Sequence, residues 1–255
     1  MKPFEELSRL GRIRRMRQLA QVALNAYGLS DVRFKLLRQA GNTLFRVNEV
    51  DPVPTTKAEL ARLHGFAAHW PSPPVPTKRK YDWDGLFRDA AGVYTSGRET
   101  WSLLPQEYVE PFEVVTRRVK QVMDEWGQGP EVYGLIHGDL GLDANVLFWG
   151  GEARAIDFDD SGFGYYVYEL SLALEHCQED DALPQFRDAL LDGYTQVRSL
   201  PEDQLEHFDL FLAAYFVYLS LYAAGVAPFH PNDREELLRR MARAFRLVER
   251  YLADT

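Results

Sequence analysis

One stretch limits the folds open to this chain more than any other. It runs Leu135-Ile136-His137-Gly138-Asp139-Leu140, then Asn145-Val146-Leu147-Phe148, then Ile156-Asp157-Phe158-Asp159-Asp160. Asn145–Trp149 and Ala153–Asp157 are apolar and strand-like, and Gly150-Gly151 between them can supply the positive φ of a two-residue hairpin turn. Pairing Trp149 with Glu152 sets Asn145 opposite Ile156, so the Asn145 amide and the Asp157 carboxylate emerge at one open end of the hairpin. His-Gly-Asp upstream reads as a tight turn with a lone carboxylate on it. Asp and Asn are ordinary turn and cap residues, which is the plain alternative. Concentration argues against it, because clustered carboxylates repel one another unless a cation compensates. Mg²⁺ takes hard oxygen ligands, one or two from protein and the rest from phosphates and water. An Asp to orient a hydroxyl, with an Asn and an Asp to hold metal, is the minimum set for moving a phosphoryl group from Mg-ATP to an alcohol. A metal-binding remnant without catalysis is the rival reading.

His-Gly-Asp-Leu, Asn-Val-Leu-Phe and Ile-Asp-Phe-Asp-Asp together resemble the aminoglycoside phosphotransferase superfamily, which includes choline kinase and type II homoserine kinase. The resemblance is strong over residues 133–175 and weak in the flanking helices. It implies an α+β, protein-kinase-like fold with a reduced N-terminal β lobe and a mainly helical C-terminal lobe carrying a small catalytic β-hairpin. It implies ATP and Mg²⁺ as cofactors, Asp139 as the catalytic residue and His137 as its buttress. Asn145 and Asp157 would be metal ligands, with Asp159 and Asp160 assisting at the metal or facing the substrate. One departure is the spacing from Asp139 to Asn145, one residue longer than usual. The loop 141–144 must bulge, or Asp143 takes part of the role.

The second departure is N-terminal. Val32–Leu37 reads as a strand, Gln39-Ala40-Gly41-Asn42 as a turn and Thr43–Val47 as a returning strand. The family's phosphate loop is similar, which implies a nucleotide-binding role for Gly41, Asn42 and Arg46. Pro52 and Pro54 then interrupt any central strand. Thr56-Lys57-Ala58-Glu59 is a capping box opening a helix to about Trp70. Lys57 lies in its first turn and Lys35 on the wrong strand, so neither suits the phosphate-binding Lys. The chain therefore divides into a reduced nucleotide-binding lobe, residues 1–54, and a helical lobe, residues 55–255. It is a kinase using another cation such as Arg38 or Arg46, a catalytically impaired kinase-fold binding protein, or a truncated product of a longer gene.

The rest reads as helical: Glu107–Trp126, Tyr166–Cys177, Pro184–Tyr194, Pro201–Ala224 and Asn232–Leu252, with residues 71–76 a stiff connector. Leu210–Ala227 has no charged residue, but its tyrosines and acidic upstream flank favour a buried helix over a membrane span. Met1–Tyr27 reads as an Arg-rich amphipathic helix, best placed as a solvated face, and it lacks a signal peptide's apolar stretch. A net charge of -9 disfavours nucleic acid. The single cysteine, Cys177, suits a cytoplasmic setting. Gly162-Phe163-Gly164 is a poor dinucleotide fingerprint, because Val167 fills the third small position behind three carboxylates. There is no Walker loop and no zinc motif. The expected partner is a small-molecule alcohol (an amino alcohol, a sugar or homoserine-like) bordered by Asp160, Tyr165, Tyr166 and Glu169.

Overall fold

The computed structural model describes residues 18, 34–39, 43–47, 64, 79–88, 97–141, 145–149, 152–179 and 181–255. Gly41, Asn42, Lys57, Asp143, the Gly150-Gly151 turn, the connector 71–76, nearly all of the N-terminal helix and, except His64, the helix expected at 56–70 lie outside the described residues. Contacts within the chain divide it into two units, residues 1–54 with 148–152, and residues 55–147 with 153–255.

In the first unit β1 (Phe34–Gln39) pairs antiparallel with β2 (Thr43–Val47). Lys35 lies opposite Arg46, and the register shifts between Leu36 and Arg38, so Leu37 has no partner. The first strand reaches Gln39, two residues past its expected end.

The second unit is built round one sheet and one buried helix. β3 (Arg79–Tyr81) runs parallel to β7 (Gly162–Tyr165), and β4 (Tyr133–Ile136) runs antiparallel to it, in the order β3-β7-β4. β5 (Val146–Trp149) and β6 (Glu152–Ala155) form the separate hairpin, of which residues 148–152 are counted with the first unit. The central strand comes very close to its neighbours. A Cβ on Gly162 would collide with the carbonyl of Arg79 and lie 2.9 Å from the Tyr81 ring, so only glycine fits there.

Helix α1 (Gly97–Ser102) follows a π-helical turn at Asp84–Arg88. Helix α2 (Gln106–Trp126) buries Tyr108, Phe112, Val115, Val119, Val122 and Met123, a helical stripe visible in the sequence. It stops at Gly127, whose φ of 64° takes the chain out of the helix while its N–H bonds Met123. Then come α3 (Tyr166–Leu172), a 3-10 turn at Glu175–Cys177 and α4 (Leu183–Thr195). The helix expected over Pro201–Ala224 is two helices, α5 (Glu202–Glu206) and α6 (Phe208–Val226), broken at His207. The break separates a polar segment from one that is buried nearly all round. α7 (Arg234–Ala253) closes the order. It begins two residues after the expected start, and its cap residue, Asp233, makes no side-chain cap bond.

Among the described residues α6 alone is long and apolar enough to cross a membrane, and most of it is buried against α2, α3 and α7. That burial accounts for its apolar circumference. Its Phe211 is fully buried and stacks on Trp126 with ring centroids 5.4 Å apart. The Tyr165 hydroxyl at the end of β7 donates to the carbonyls of Met123 and Gly127, tying the sheet to the end of α2. Phe211→Ala would leave a cavity where three aromatic rings meet. It is expected to destabilise the fold by about 3–5 kcal/mol, read as a lower urea midpoint at unchanged slope.

Candidate active site

The site starts at a turn. β4 ends at Ile136, and His137-Gly138-Asp139 bend the chain back. Gly138 has φ of 82°, and a Cβ there would strike the Tyr81 hydroxyl and lie 2.6 Å from the Asp160 carbonyl. Both conformation and space call for glycine. The Gly138 N–H donates to Oε1 of Glu169 on α3 at 2.7 Å, and that residue is fully buried. The expectation that Glu169 borders the substrate is therefore corrected: its carboxyl is spent inside the fold. His137, also fully buried, donates from Nε2 to the Ile156 carbonyl at 2.8 Å. Its Nδ1 faces the Asp139 N–H at 3.4 Å. This histidine thus links the turn to the far strand of the hairpin.

The hairpin register agrees with the sequence reading, since the Ile156 N–H donates to the Asn145 carbonyl at 2.9 Å. Despite the longer spacing, Asn145 reaches Asp139. Its Nδ2 donates to the Asp139 carbonyl at 2.8 Å and to Oδ2 at 2.9 Å. That leaves amide Oδ1, a hard oxygen donor, on the opposite edge. Asp157 follows β6 with φ 65° and ψ 63°, the one left-handed non-glycine among the described residues. Such backbone costs of order 1–3 kcal/mol and gathers at functional sites. Asp159 and Asp160 occupy the exposed 3-10 turn Phe158–Asp160. Among the described residues no three His, Cys, Asp or Glu side chains converge on an ion site. One amide oxygen and one carboxylate nevertheless match the small protein share that Mg²⁺ takes when phosphates supply the rest. Of the residues expected at the nucleotide, Arg46 lies on β2, and Gly41 and Asn42 are outside the described residues.

Acidic and tyrosine side chains surround Asp139. Burial and the charge of Asp160 push its carboxyl up to about 6, with the Asn145 amide and His137 acting in the opposite sense. Glu175 adds a further negative charge. Glu175 accepts from the Tyr215 hydroxyl at 3.1 Å and lies 3.6 Å from Arg243. Burial, Glu175 and Asp139 together push the Tyr215 hydroxyl well above its ordinary value. Asp160 is paired with Arg79 at 3.6 Å, and the Arg79 guanidinium lies 5.0 Å from the centres of the Tyr81 and Tyr218 rings. Arg79 also donates to the Tyr218 hydroxyl at 2.5 Å.

Tyr165 and Tyr166, expected at the pocket, are corrected as well. Tyr165 is buried with its hydroxyl bonded into α2, and Tyr166 is buried beneath the Arg198 guanidinium. Glu175 and the buried Tyr215 act on Asp139 electrostatically, and Arg79 pairs with Asp160 beside it. The one sequence sign of this surface was the spacing of Tyr215, Tyr218 and Tyr222 along an otherwise apolar helix.

The raised value at Asp139 has a consequence for stability. The folded chain binds its proton more tightly than an unfolded chain, whose carboxyl titrates at 3.8. Ionisation therefore costs stability between 3.8 and about 6, in full above that range and not at all below it. Asp139→Asn removes the cost. Because the residue is partly open to solvent, the gain is discounted to about 1 kcal/mol. In the metal-free protein the Tm of Asp139→Asn should exceed that of the parent by about 2–4 °C at pH 8. The difference should vanish near pH 4, and thermal melts across the range check it.

Comparisons with known proteins bear on the family and the fold. The model of the phosphotransferase enzyme family (APH) matches residues 19–208. The structure of the microcompartment-associated aminopropanol kinase superposes with a TM-score of 0.63 at 20% identity, covering 93% of this chain and 98% of that one. The amicoumacin kinase hAmiN, solved with AMP-PNP, Ca²⁺ and Ami, gives 0.56 at 20% identity, covering 92% of this chain and 75% of that one. Choline kinase LicA from Streptococcus pneumoniae gives 0.52 at 14% identity, covering 93% and 81%. These likenesses show a protein-kinase-like fold. No curated protein sequence matches the chain.

Proposed function

The chain belongs to the phosphotransferase enzyme family, and from that premise we propose that it transfers the γ-phosphoryl group of Mg-ATP to the hydroxyl of a small amine-bearing alcohol. The carrying observation is the Asn145–Asp139 bond, which joins a prospective metal ligand to the prospective catalytic carboxylate, with Asp157 in left-handed backbone beside the hairpin end. Bound Mg-ATP would supply the phosphoryl group and a cation that offsets its charge. Asn145 and Asp157 would hold that cation through Oδ1 and a carboxylate oxygen. Asp139 would accept the hydrogen bond of the acceptor hydroxyl and align its oxygen, receiving the proton as the bond forms. Positioning carries most of the rate in such chemistry.

An amine on the acceptor is supported by charge. Asp139, Asp160 and Glu175 gather negative potential at the site, which Arg79 and Arg243 offset only in part. The aminopropanol and choline kinases of similar fold act on alcohols of that kind.

The second reading is binding without turnover. It is favoured by residues 48–56, which hold two prolines and no lysine where a phosphate-binding strand would follow β2. Two measurements separate the readings. If Mg-ATP raises the Tm, nucleotide is bound. Incubation of the chain and ATP with aminopropanol, choline, ethanolamine, glycerol or a hexose, followed by mass spectrometry, then reports transfer. The expected result is a phosphorylated amino alcohol, weak or no product from uncharged alcohols, and loss of roughly 10³-fold in kcat for Asp139→Asn with the Mg-ATP Tm shift retained. A Tm shift without product from any acceptor would leave the binding reading standing.

A further inference from the structure

Glu169 has two carboxyl oxygens and both are taken. Oε1 receives the Gly138 N–H at 2.7 Å, and Oε2 lies 2.6 Å from Nε2 of His64, 105 positions upstream. His64 and Glu169 are both fully buried. The other imidazole nitrogen, Nδ1, meets the Tyr194 hydroxyl at 2.9 Å. The ring also lies against Tyr166, with centroids 4.5 Å apart. The His64 carbonyl is held in turn by Arg198, which donates to it at 3.2 Å. His64 is thus gripped on both ring nitrogens, on one ring face and at its backbone.

We propose that His64 is a positioning residue for the catalytic turn: clamped between the Tyr194 hydroxyl and the Glu169 carboxyl, it sets the carboxyl orientation that receives the Gly138 N–H, and so fixes where Asp139 stands. A glutamate side chain has three torsions, and one hydrogen bond leaves the plane of its carboxyl free to rotate. Capture of both oxygens, one by the turn and one by the imidazole, removes that freedom. A carboxyl oxygen stripped of its donor in a site closed to water needs another partner. Without His64 the Glu169 side chain would turn toward one, and the bond to Gly138 would lengthen. A histidine that merely fills space predicts no such transmission. Only the link from turn to turnover rests on the phosphotransfer reading; the geometric part stands on the Glu169 bonds alone.

The test uses the full chain with ¹⁵N-glycine labelling, so that the Gly138 amide is read directly. His64→Asn keeps a polar group near Tyr194 but cannot reach Glu169, and His64→Gln reaches Glu169 with its amide N–H. In His64→Asn the Gly138 amide proton should move upfield and exchange about tenfold faster or more, while the Gly164 amide in β7 does not change. In His64→Gln both should stay close to the parent, within about threefold in exchange. Turnover should follow the same order, kcat falling in His64→Asn and returning in His64→Gln, with the KM for ATP unchanged. An unmoved Gly138 amide in His64→Asn overturns the proposal. So does an equal change in the Asn and Gln variants, which marks a space-filling role. If His64→Asn fails to fold, Tyr194→Phe releases the outer edge of the imidazole instead. Faster exchange at Gly138 is then expected, and unchanged exchange overturns the proposal. A chain that phosphorylates no alcohol would sink the functional reading and leave the Gly138 result to be judged by itself.

Discussion

The bond from the Gly138 N–H to a fully buried carboxyl of Glu169 is the constraint on which the site depends. The turn cannot supply such a partner from its own backbone, because Gly138 has a positive φ and no room for a side chain. The acceptor comes from α3, and α3 is placed by β7, whose last residue leads straight into it. β7 is the middle strand of its sheet, and its other edge carries β3 and Tyr81, whose hydroxyl closes on the Asp160 carbonyl. A local turn thus inherits its geometry from a sheet, a helix and an aromatic ring distant in sequence. Precision of this kind is what a reaction limited by alignment requires.

The same region is electrostatically costly. Asp139, Asp157, Asp159, Asp160 and Glu175 are drawn from one short part of the chain, and the protein offsets them incompletely, with Arg79 on Asp160 and Arg243 on Glu175. Burial first, and the charge of Asp160 after it, push the Asp139 carboxyl upward. A fold selected for stability alone would discard such a cluster, whereas one that meets cations at this place gains from it. Burial elsewhere allows the cost, notably the aromatic packing of α6 against α2 through Phe211 and Trp126.

The parts legible in the sequence are those governed by short-range periodicity. The hairpin register follows from alternation and a Gly-Gly turn, and the Ile156–Asn145 bond agrees with it. The α2 stripe and the uninterrupted apolar run of α6 follow from helical spacing and burial. The kinase-like fold was legible through three short motifs. What stayed hidden depends on partners far along the chain. Strand β3 is three residues long and exists only because β7 lies beside it. The inward turn of Glu169 was hidden, and Glu175 was not singled out at all, since helix direction and depth decide which carboxylate turns inward. Arg79 gave no local sign at all, because its partners Tyr218 and Asp160 come from a distant helix and a distant turn. The break at His207 was missed because both flanking segments favour helix equally well.

Asp157 carries a lesson for anyone who would dissect this protein by substitution. Its left-handed backbone suits glycine, is borne by aspartate and asparagine at a cost, and resists nearly every other residue. An alanine introduced there changes two things together, the missing oxygen and a chain path that the newcomer dislikes, so a dead variant would say little about which mattered. Asparagine isolates the charge and glycine isolates the side chain. The residues that this position can accept are accordingly few, for reasons of shape as much as of chemistry.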